Sequence, residues 1–232
     1  MIVELSASMM CADFSNLERE VRSLEEGGID SFHVDIMDGR FVDNFGMGYQ
    51  DMKYIRSATK KPVELHLMVK EPLQYFTILN YINPDTIYVH PESDMDPATT
   101  LEKIEKMGSI PGIAINPGTS IPQIEELLNV AKKVLVLAVN PGHAGRKYAE
   151  YVGDKVKRLS LMRAKMDFEI IWDGAASMKI IQEFGNIVDG FVLGTASLFG
   201  REQSYHDIIE KIRSMQLFEA EYFEKTIGEI RL

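Results

Sequence analysis

The stretch SFHVDI, residues 31–36, has the composition of a buried β-strand that carries two polar side chains near its end. His33 and Asp35 are two positions apart, so both side chains point to one face of a strand, while Val34 points to the other. In a parallel barrel, one face of each strand lines the interior and the other packs on helices. Polar side chains that act inside the barrel must therefore alternate with apolar ones. The stretch therefore predicts a strand whose His33 and Asp35 face a barrel interior.

Seven further short apolar runs lie before and after this strand, separated by longer amphipathic segments. The predicted strands are Ile2–Ser6, Ser31–Ile36, Val63–Leu67, Thr86–His90, Gly112–Ile115, Val134–Val139, Glu169–Trp172 and Gly190–Leu193. The predicted helices include Leu17–Glu26, Thr100–Met107, Ile121–Val130, Asp154–Lys165, Met178–Phe184 and a last one over about 204–227.

Strands that alternate with helices indicate a parallel α/β fold, and eight such units predict closure into a TIM (β/α)8 barrel, with residues 1–232 as one domain. An open doubly wound sheet is the alternative, and such a sheet usually has a glycine-rich loop after its first strand. Here Ser6-Ala7-Ser8 stand at that position and include no glycine.

The composition limits the classes of partner. The chain has 232 residues, a formal net charge of −10 and one cysteine, so an acidic surface disfavours nucleic acid and acidic membranes and no internal disulfide is possible. No apolar run reaches transmembrane length, and the first residues do not have the pattern of a signal peptide. We therefore expect a cytoplasmic protein that acts on a small molecule.

Histidines and carboxylates stand at the ends of several predicted strands. His33 and Asp35 end the second strand, His66 ends the third, and Asp173 follows the seventh. Each alone is more often a hydrogen-bonded structural residue or a helix cap, but four polar groups at one rim without a function would cost desolvation free energy. Two imidazoles and two carboxylates form a suitable ligand set for Zn²⁺, Fe²⁺ or Mn²⁺.

Three late loops are rich in small residues that let a ligand approach the backbone. They are Asn140-Pro141-Gly142-His143-Ala144-Gly145, Gly174-Ala175-Ala176 and Gly194-Thr195-Ala196-Ser197. Backbone N–H groups in such loops bind anions, and barrels usually hold phosphate after strands seven and eight. The three loops together predict a phosphate site at the same rim as the metal ligands.

These motifs resemble the ribulose-phosphate 3-epimerase family over nearly the whole chain. The matching stretches are Leu5-Ser6-Ala7-Ser8-Met9, Ala12-Asp13-Phe14, His33-Val34-Asp35-Ile36-Met37-Asp38-Gly39, His66-Leu67-Met68-Val69, Asn116-Pro117-Gly118-Thr119, Val139-Asn140-Pro141-Gly142, Asp173-Gly174 and Gly194-Thr195-Ala196. The resemblance implies a metal-dependent isomerase that inverts C3 of a phosphorylated ketose, and a homo-oligomer, either a dimer or a hexamer.

The resemblance also implies roles for individual residues. The divalent ion, Zn²⁺ first with Fe²⁺, Mn²⁺ or Co²⁺ as alternatives, would be held by His33, Asp35, His66 and Asp173. Asp35 and Asp173 would be the catalytic acid/base pair. The substrate would contact Ser8, Met37, His66 and Met68, and the phosphate would be held by Gly142, Gly145, Gly174, Ala175, Gly194 and Thr195.

The sequence departs from the family pattern near the expected substrate. The departures are Ala7, Arg40, Asp43, Leu137, Ala175 and the stretch His143-Ala144-Gly145-Arg146. Three stretches, His90-Pro91-Glu92, Ala144-Gly145 and Gly194-Thr195, resemble the allulose-6-phosphate 3-epimerase branch, so both D-ribulose 5-phosphate and D-allulose 6-phosphate are candidate substrates. A decarboxylase or aldolase on the same barrel, and a sugar-phosphate-binding barrel without catalysis, are the remaining alternatives.

Overall fold

A computed structural model of the protein describes residues 3–215, in which eight parallel strands form a closed barrel in chain order. Strand β8 pairs with β1 and so closes the ring. The strands are β1 (Glu4–Ser8), β2 (Ser31–Met37), β3 (Val63–Met68), β4 (Thr86–Val89), β5 (Ile110–Ile115), β6 (Lys133–Leu137), β7 (Glu169–Asp173) and β8 (Gly190–Leu193). The predicted TIM barrel is confirmed, and every predicted strand is present with small shifts at its ends.

Seven α-helices lie among the described residues. They are α1 (Leu17–Gly27), α2 (Tyr49–Ala58), α3 (Phe76–Ile82), α4 (Pro97–Lys106), α5 (Tyr151–Met162), α6 (Met178–Phe184) and α7 (Tyr205–Arg213). The final predicted helix is shorter than expected within the described residues, because α7 ends at Arg213 with Ser214 as its C-cap. Positions 216–227 of that prediction lie outside the described residues.

The predicted helix Ile121–Val130 is wrong as a single α-helix. The segment instead forms two short 3-10 helices, Ile121–Gln123 and Glu125–Asn129. Its amides mostly bond to carbonyls three residues back, as in Ile124 to Ile121 and Leu127 to Ile124. Ile124 has a φ of −121°, well outside helical geometry, and this residue separates the two turns.

Alternate side chains of the strands face the barrel interior and the helix layer. Phe32, Val34 and Leu65 belong to the large apolar core that the strands share with the helices. The residues between them face inward, and a separate cluster fills the interior with Tyr88, Ala114, Leu135, Leu137, Ile171 and Val192. His33 and Asp35 therefore face the interior, as the sequence predicted. No helix within residues 3–215 has the length and apolar character needed to cross a bilayer.

An ion-pair network lies inside the barrel below the polar rim. The Lys133 ammonium is 3.0 Å from a Glu4 oxygen and 3.2 Å from a Glu64 oxygen. Glu64 also accepts hydrogen bonds from Ser6 and Tyr88. Since Glu64 is 1% exposed, its charge depends on these partners rather than on water.

Gly112 on β5 gives the Tyr88 ring its space in the interior, because a Cβ atom at this position would lie 2.4 Å from Tyr88 Cδ1. Overpacking of this kind costs about 1–3 kcal/mol, so we expect Gly112→Ala to lower the free energy of unfolding by that amount in denaturant titrations. Gly118→Ala is the matched control, since its Cβ would have nothing within 4 Å. Equal stability of the two variants would contradict this packing.

Candidate active site

The polar cluster at the barrel rim is assembled by strand register. Ser8 of β1 pairs with His33 of β2, and Asp35 of β2 pairs with His66 of β3. Asp173 ends β7, on the other side of the barrel. Parallel strands that wind round one barrel thus bring residues far apart in sequence to one place.

The four predicted metal ligands do converge in the structure. One ligand atom each from His33, Asp35, His66 and Asp173 lies within 4.8 Å of the other three. Asp35 Oδ1 is 3.0 Å from His66 Nδ1 and 3.4 Å from His33 Nε2, and Asp173 Oδ2 is 3.8 Å from His66 Nδ1. Ser8 donates a hydrogen bond of 3.1 Å to the other oxygen of Asp35.

The cluster has the chemistry of a cation site. His33 is fully buried, and neither of its ring nitrogens has a hydrogen-bond partner. A buried polar atom without a partner costs free energy unless something else satisfies it. A divalent ion between His33, Asp35, His66 and Asp173 would satisfy His33 Nε2, so these residues fit a divalent metal.

Burial and neighbouring charges give the titratable side chains of the cluster different pKa values. Burial opposes a charge on His33, but the adjacent Asp35 carboxylate outweighs it and raises the pKa of His33 to about 10. Burial also opposes ionisation of Asp35, yet His33 and His66 hold the pKa of Asp35 well below its usual range. Burial raises the pKa of Asp173, and the nearby His33 offsets this increase only in part. The two aspartates therefore differ in proton affinity, as acid and base partners in enzymes do.

A cavity of about 320 Å³ opens above the cluster. Among the predicted site residues, all except His33 line it: Ser8, Asp35, Met37, His66, Met68, Gly142, Gly145, Asp173, Gly174, Ala175, Gly194 and Thr195. His33 is fully buried and contacts Asp35 from outside the cavity lining. Met10 and Cys11 also line the cavity from a short 3-10 turn after β1, Met9–Cys11, although no sequence motif indicated them.

The small-residue loops after β6 and β7 use backbone conformations that glycine adopts most easily. Gly174 has a φ of 88°, and a Cβ atom there would lie 2.7 Å from Val139. Ala175, at one of the departures from the family pattern, holds a φ of 49° in the left-handed region. After β8, the Arg201 guanidinium donates to the carbonyls of Thr195 and Ala196 and fixes that loop.

The loop after β2 is connected to the loop after β6 across the cavity mouth. The Asn44 amide donates a hydrogen bond of 2.7 Å to the Gly142 carbonyl. Arg146 Nη2 lies 3.0 Å from His143 Nδ1, and both residues line the cavity. Arg146 is therefore placed to reach a ligand.

Two further polar residues, the buried His90 and the partly exposed Glu92, lie behind His66. His90 Nε2 is 2.9 Å from His66 Nε2, and His90 Nδ1 is 3.3 Å from a Glu92 oxygen. Burial opposes ionisation of Glu92, but hydrogen bonds from His90, Thr119 and the Asn116 backbone outweigh it and lower the pKa of Glu92 to about 2. The sequence analysis noted both residues only within the stretch His90-Pro91-Glu92 and gave neither a role at the site. Their signal was the His-x-Glu spacing at the end of β4.

Comparison with known proteins gives one family for this geometry. Residues 4–198 match the model of the ribulose-phosphate 3 epimerase family. Ribulose-phosphate 3-epimerase of Methanocaldococcus jannaschii is 32% identical over 203 residues, covering 87% of this chain and 86% of that protein. The Synechocystis enzyme of the same name is 36% identical, with 69% and 70% coverage. The chloroplastic ribulose-5-phosphate-3-epimerase of Arabidopsis thaliana is 33% identical, with 90% and 76% coverage.

Solved structures with low identity share the fold. KGPDC from Streptococcus mutans superposes with a TM-score of 0.69 at 12% identity, covering 91% of this chain and 98% of that chain. Phosphoribosyl anthranilate isomerase from Thermotoga maritima gives 0.65 at 11% identity, with 92% and 100% coverage. These likenesses support the barrel alone, whereas the family match and the curated relatives concern the chain's own sequence. The chain belongs to the ribulose-phosphate 3-epimerase family.

Proposed function

We propose that this protein catalyses metal-dependent epimerisation at C3 of a ketose phosphate, interconverting D-ribulose 5-phosphate and D-xylulose 5-phosphate. The observation that carries the proposal is the pair of carboxylates, Asp35 and Asp173, beside two imidazoles at the base of a cavity lined by small-residue loops. The names of the relatives support the pentulose as substrate. The same family likeness favours a homo-oligomer, either a dimer or a hexamer.

The metal would be held by His33, Asp35, His66 and Asp173. When bound, a divalent ion would supply positive charge that offsets the negative charge developing on the substrate's C2 oxygen. A mixed set of nitrogen and oxygen ligands suits Zn²⁺ first, and Fe²⁺, Mn²⁺ or Co²⁺ also accept such ligands.

The two aspartates would carry the proton. One carboxylate removes the proton from C3, and the electrons of the C3–H bond move towards C2 and its carbonyl oxygen, which gives an ene-diolate. The other carboxylate, now as the acid, delivers a proton to the opposite face of C3. Asp35 and Asp173 come from β2 and β7, which are three strands apart in the closed barrel, so the two carboxylates would approach C3 from different directions, as inversion requires. Ser8 orients Asp35 by its hydrogen bond.

The phosphate group would lie against the backbone of the loops after β6, β7 and β8, around Gly142, Gly145, Gly174, Ala175, Gly194 and Thr195. All six residues line the same cavity as the two aspartates. Met37 and Met68 form an apolar cluster with Val42 beside it and would contact the sugar carbons. Among the described residues that line the cavity there is no lysine, which disfavours a Schiff-base aldolase.

The metal assignment predicts the behaviour of a double variant. His33→Ala/His66→Ala removes both nitrogen ligands, so we expect it to retain little Zn²⁺, with affinity at least about 100-fold below the wild type. Elemental analysis after dialysis against a weak chelator measures the occupancy. His206→Ala, a change at an exposed histidine of α7, is the control and should keep the metal. Full occupancy in the double variant would place the metal elsewhere.

The position of Arg146 predicts that its replacement weakens substrate binding. Its guanidinium can form a charged hydrogen bond to phosphate that glutamine cannot form, and we expect Arg146→Gln to raise KM about tenfold with kcat nearly unchanged. Steady-state assays with D-ribulose 5-phosphate measure both constants. An unchanged KM would remove Arg146 from the phosphate site.

A comparison of kcat/KM for the two sugars tests whether the substrate is a pentulose or a hexulose phosphate. A hexulose 6-phosphate needs room for one more carbon between the metal and the phosphate loops. We expect a preference for D-ribulose 5-phosphate over D-allulose 6-phosphate. A large preference for the hexulose would overturn the substrate assignment but would leave the C3 chemistry in place.

A further inference from the structure

A row of hydrogen-bonding groups runs from the buried rings of His66 and His90 to Glu92, whose side chain is 22% exposed. We propose that His90 and Glu92 are positioning residues that hold His66 in the tautomer with an unprotonated Nδ1, ready to bind the metal. The inference rests on the proposed metal site and assigns a role to two residues outside the ligand set.

The contacts define which atoms must share protons. His66 Nδ1 faces the cluster, 3.0 Å from Asp35, while His66 Nε2 faces His90 Nε2 at 2.9 Å. On its other side His90 presents Nδ1 to Glu92 Oε2 at 3.3 Å. Two neutral imidazoles whose Nε2 atoms are this close need exactly one proton between them.

When a divalent ion is held by His66 Nδ1 and Asp35, one arrangement satisfies every group with neutral imidazoles and an ionised Glu92. Without the ion, the Asp35 carboxylate, 3.0 Å from His66 Nδ1, favours a proton on that nitrogen. The Glu92 carboxylate can only accept, so His90 must carry its proton on Nδ1 and donate it to Glu92. The Nε2 atom of His90 then has a lone pair and accepts from Nε2–H of His66. His66 Nδ1 is left without a proton, and its lone pair points towards Asp35 and Asp173.

The opposite arrangement leaves no proton between His90 and Glu92. If His66 kept a proton on Nδ1 for Asp35, its Nε2 would accept a proton from His90 Nε2. The lone pair on His90 Nδ1 would then face the Glu92 carboxylate, unless a further proton were taken up. The contacts of His90 and Glu92 therefore oppose a proton on His66 Nδ1 and favour the ligating tautomer of His66.

Glu92 and His90 are held firmly enough to impose this choice. The second oxygen of Glu92 accepts hydrogen bonds from the Asn116 backbone N–H and the Thr119 hydroxyl. His90 is fully buried, and its ring lies between those of His66 and Phe41, with centroid distances of 5.1 Å and 4.8 Å. The contacts of Glu92 are thus divided, with one oxygen on Asn116 and Thr119 and the other on His90.

Replacing Glu92 by glutamine should reverse the direction of the hydrogen bonds along the row. The donors on Asn116 and Thr119 require the carbonyl oxygen of the new amide, so its NH₂ group must face His90 Nδ1. His90 would then accept there and carry its proton on Nε2, which donates to His66 and leaves a proton on His66 Nδ1. Zinc binding must displace this proton and disturb the row.

Zn²⁺ affinity, measured by competition with a chromogenic chelator, tests the proposal. We expect Glu92→Gln to bind Zn²⁺ about 10- to 100-fold more weakly than the wild type, the usual cost of removing an outer partner of a ligand. Glu20→Gln is the control, because Glu20 is a buried carboxylate on α1 that accepts from Tyr205 far from the cluster. It should bind Zn²⁺ normally. Equal affinity of Glu92→Gln and the wild type would overturn the proposal.

The position of the His90 proton is a second, independent readout. In ¹⁵N-histidine NMR spectra of the Zn²⁺-loaded wild type, we expect His90 to be protonated on Nδ1. Thr119→Val keeps the Glu92 carboxylate and should keep this pattern, even if Glu92→Gln does not fold. A His90 proton on Nε2 in the loaded wild type would contradict the proposal.

The two experiments separate this inference from the metal site itself. If His33→Ala/His66→Ala loses Zn²⁺ while Glu92→Gln binds it as the wild type does, the metal site stands and the positioning role is wrong. A wild type that does not bind Zn²⁺ at these ligands would contradict both.

Discussion

Asp173→Asn should lower kcat for epimerisation by about 10²- to 10⁴-fold, the range over which a positioned proton carrier contributes to rate. Asparagine has nearly the shape of aspartate but cannot carry the proton that C3 must lose or gain on that face. Asp35, on the opposite side of the cluster, cannot serve both faces. Assays of xylulose 5-phosphate formation measure the loss.

Exchange of the C3 hydrogen with solvent is a partial reaction that tests proton transfer separately from metal binding. In D₂O, Asp173→Asn with bound metal should still exchange the C3 hydrogen of one epimer through Asp35, while Asp35→Asn should exchange that of the other. Asp154→Asn, on the exposed side of α5, should behave as the wild type. Exchange in both epimers at the wild-type rate in either active-site variant would contradict the two-base account.

Lys133→Met should destabilise the protein by about 3–5 kcal/mol, the usual cost of removing one partner from a buried ion pair. Lys133 is the cation in contact with Glu4, Glu64 and Glu169, and its side chain is 9% exposed. Without it the buried Glu64 carboxylate loses its countercharge inside the barrel. Urea unfolding monitored by circular dichroism measures the change.

The adjacent residue provides the control. Lys132 pairs with Asp167 at the surface, where the two side chains are 48% and 95% exposed. Exposed pairs contribute about 0–1 kcal/mol, so Lys132→Met should have a small effect. Adding Glu64→Gln to Lys133→Met should recover part of the lost stability. Equal losses for Lys132→Met and Lys133→Met would show that the barrel interior does not depend on this charge.

The barrel could be predicted because its signals are local. Each buried strand is a short apolar run, and the period of two at His33-Val34-Asp35 fixes which side chains face inward. The segment 121–130 could not be predicted by the same method, since apolar residues at Ile121, Ile124 and Leu128 fit an α-helix as well as two 3-10 turns. Hydrogen bonding, rather than the apolar pattern, decides between these forms.

The four ligands could be proposed from their strand-end positions, but the groups that support them could not. Lys133 meets Glu4 across 129 positions of sequence and Glu64 across 69, so no local pattern links them. Likewise, the contact between His66 and His90 depends on the pairing of β3 with β4. Glu64 lies two positions before His66 on the same strand face, and this spacing was the available signal for a second polar layer.

Epimerisation of D-ribulose 5-phosphate in D₂O with Zn²⁺-loaded protein tests the central claim most directly. Mass spectrometry and ¹H NMR of the product locate any deuterium. The account predicts D-xylulose 5-phosphate with deuterium at C3, because the proton delivered by the second aspartate comes from solvent. Product that retains its original C3 hydrogen, or the absence of any C3 epimer, would contradict it.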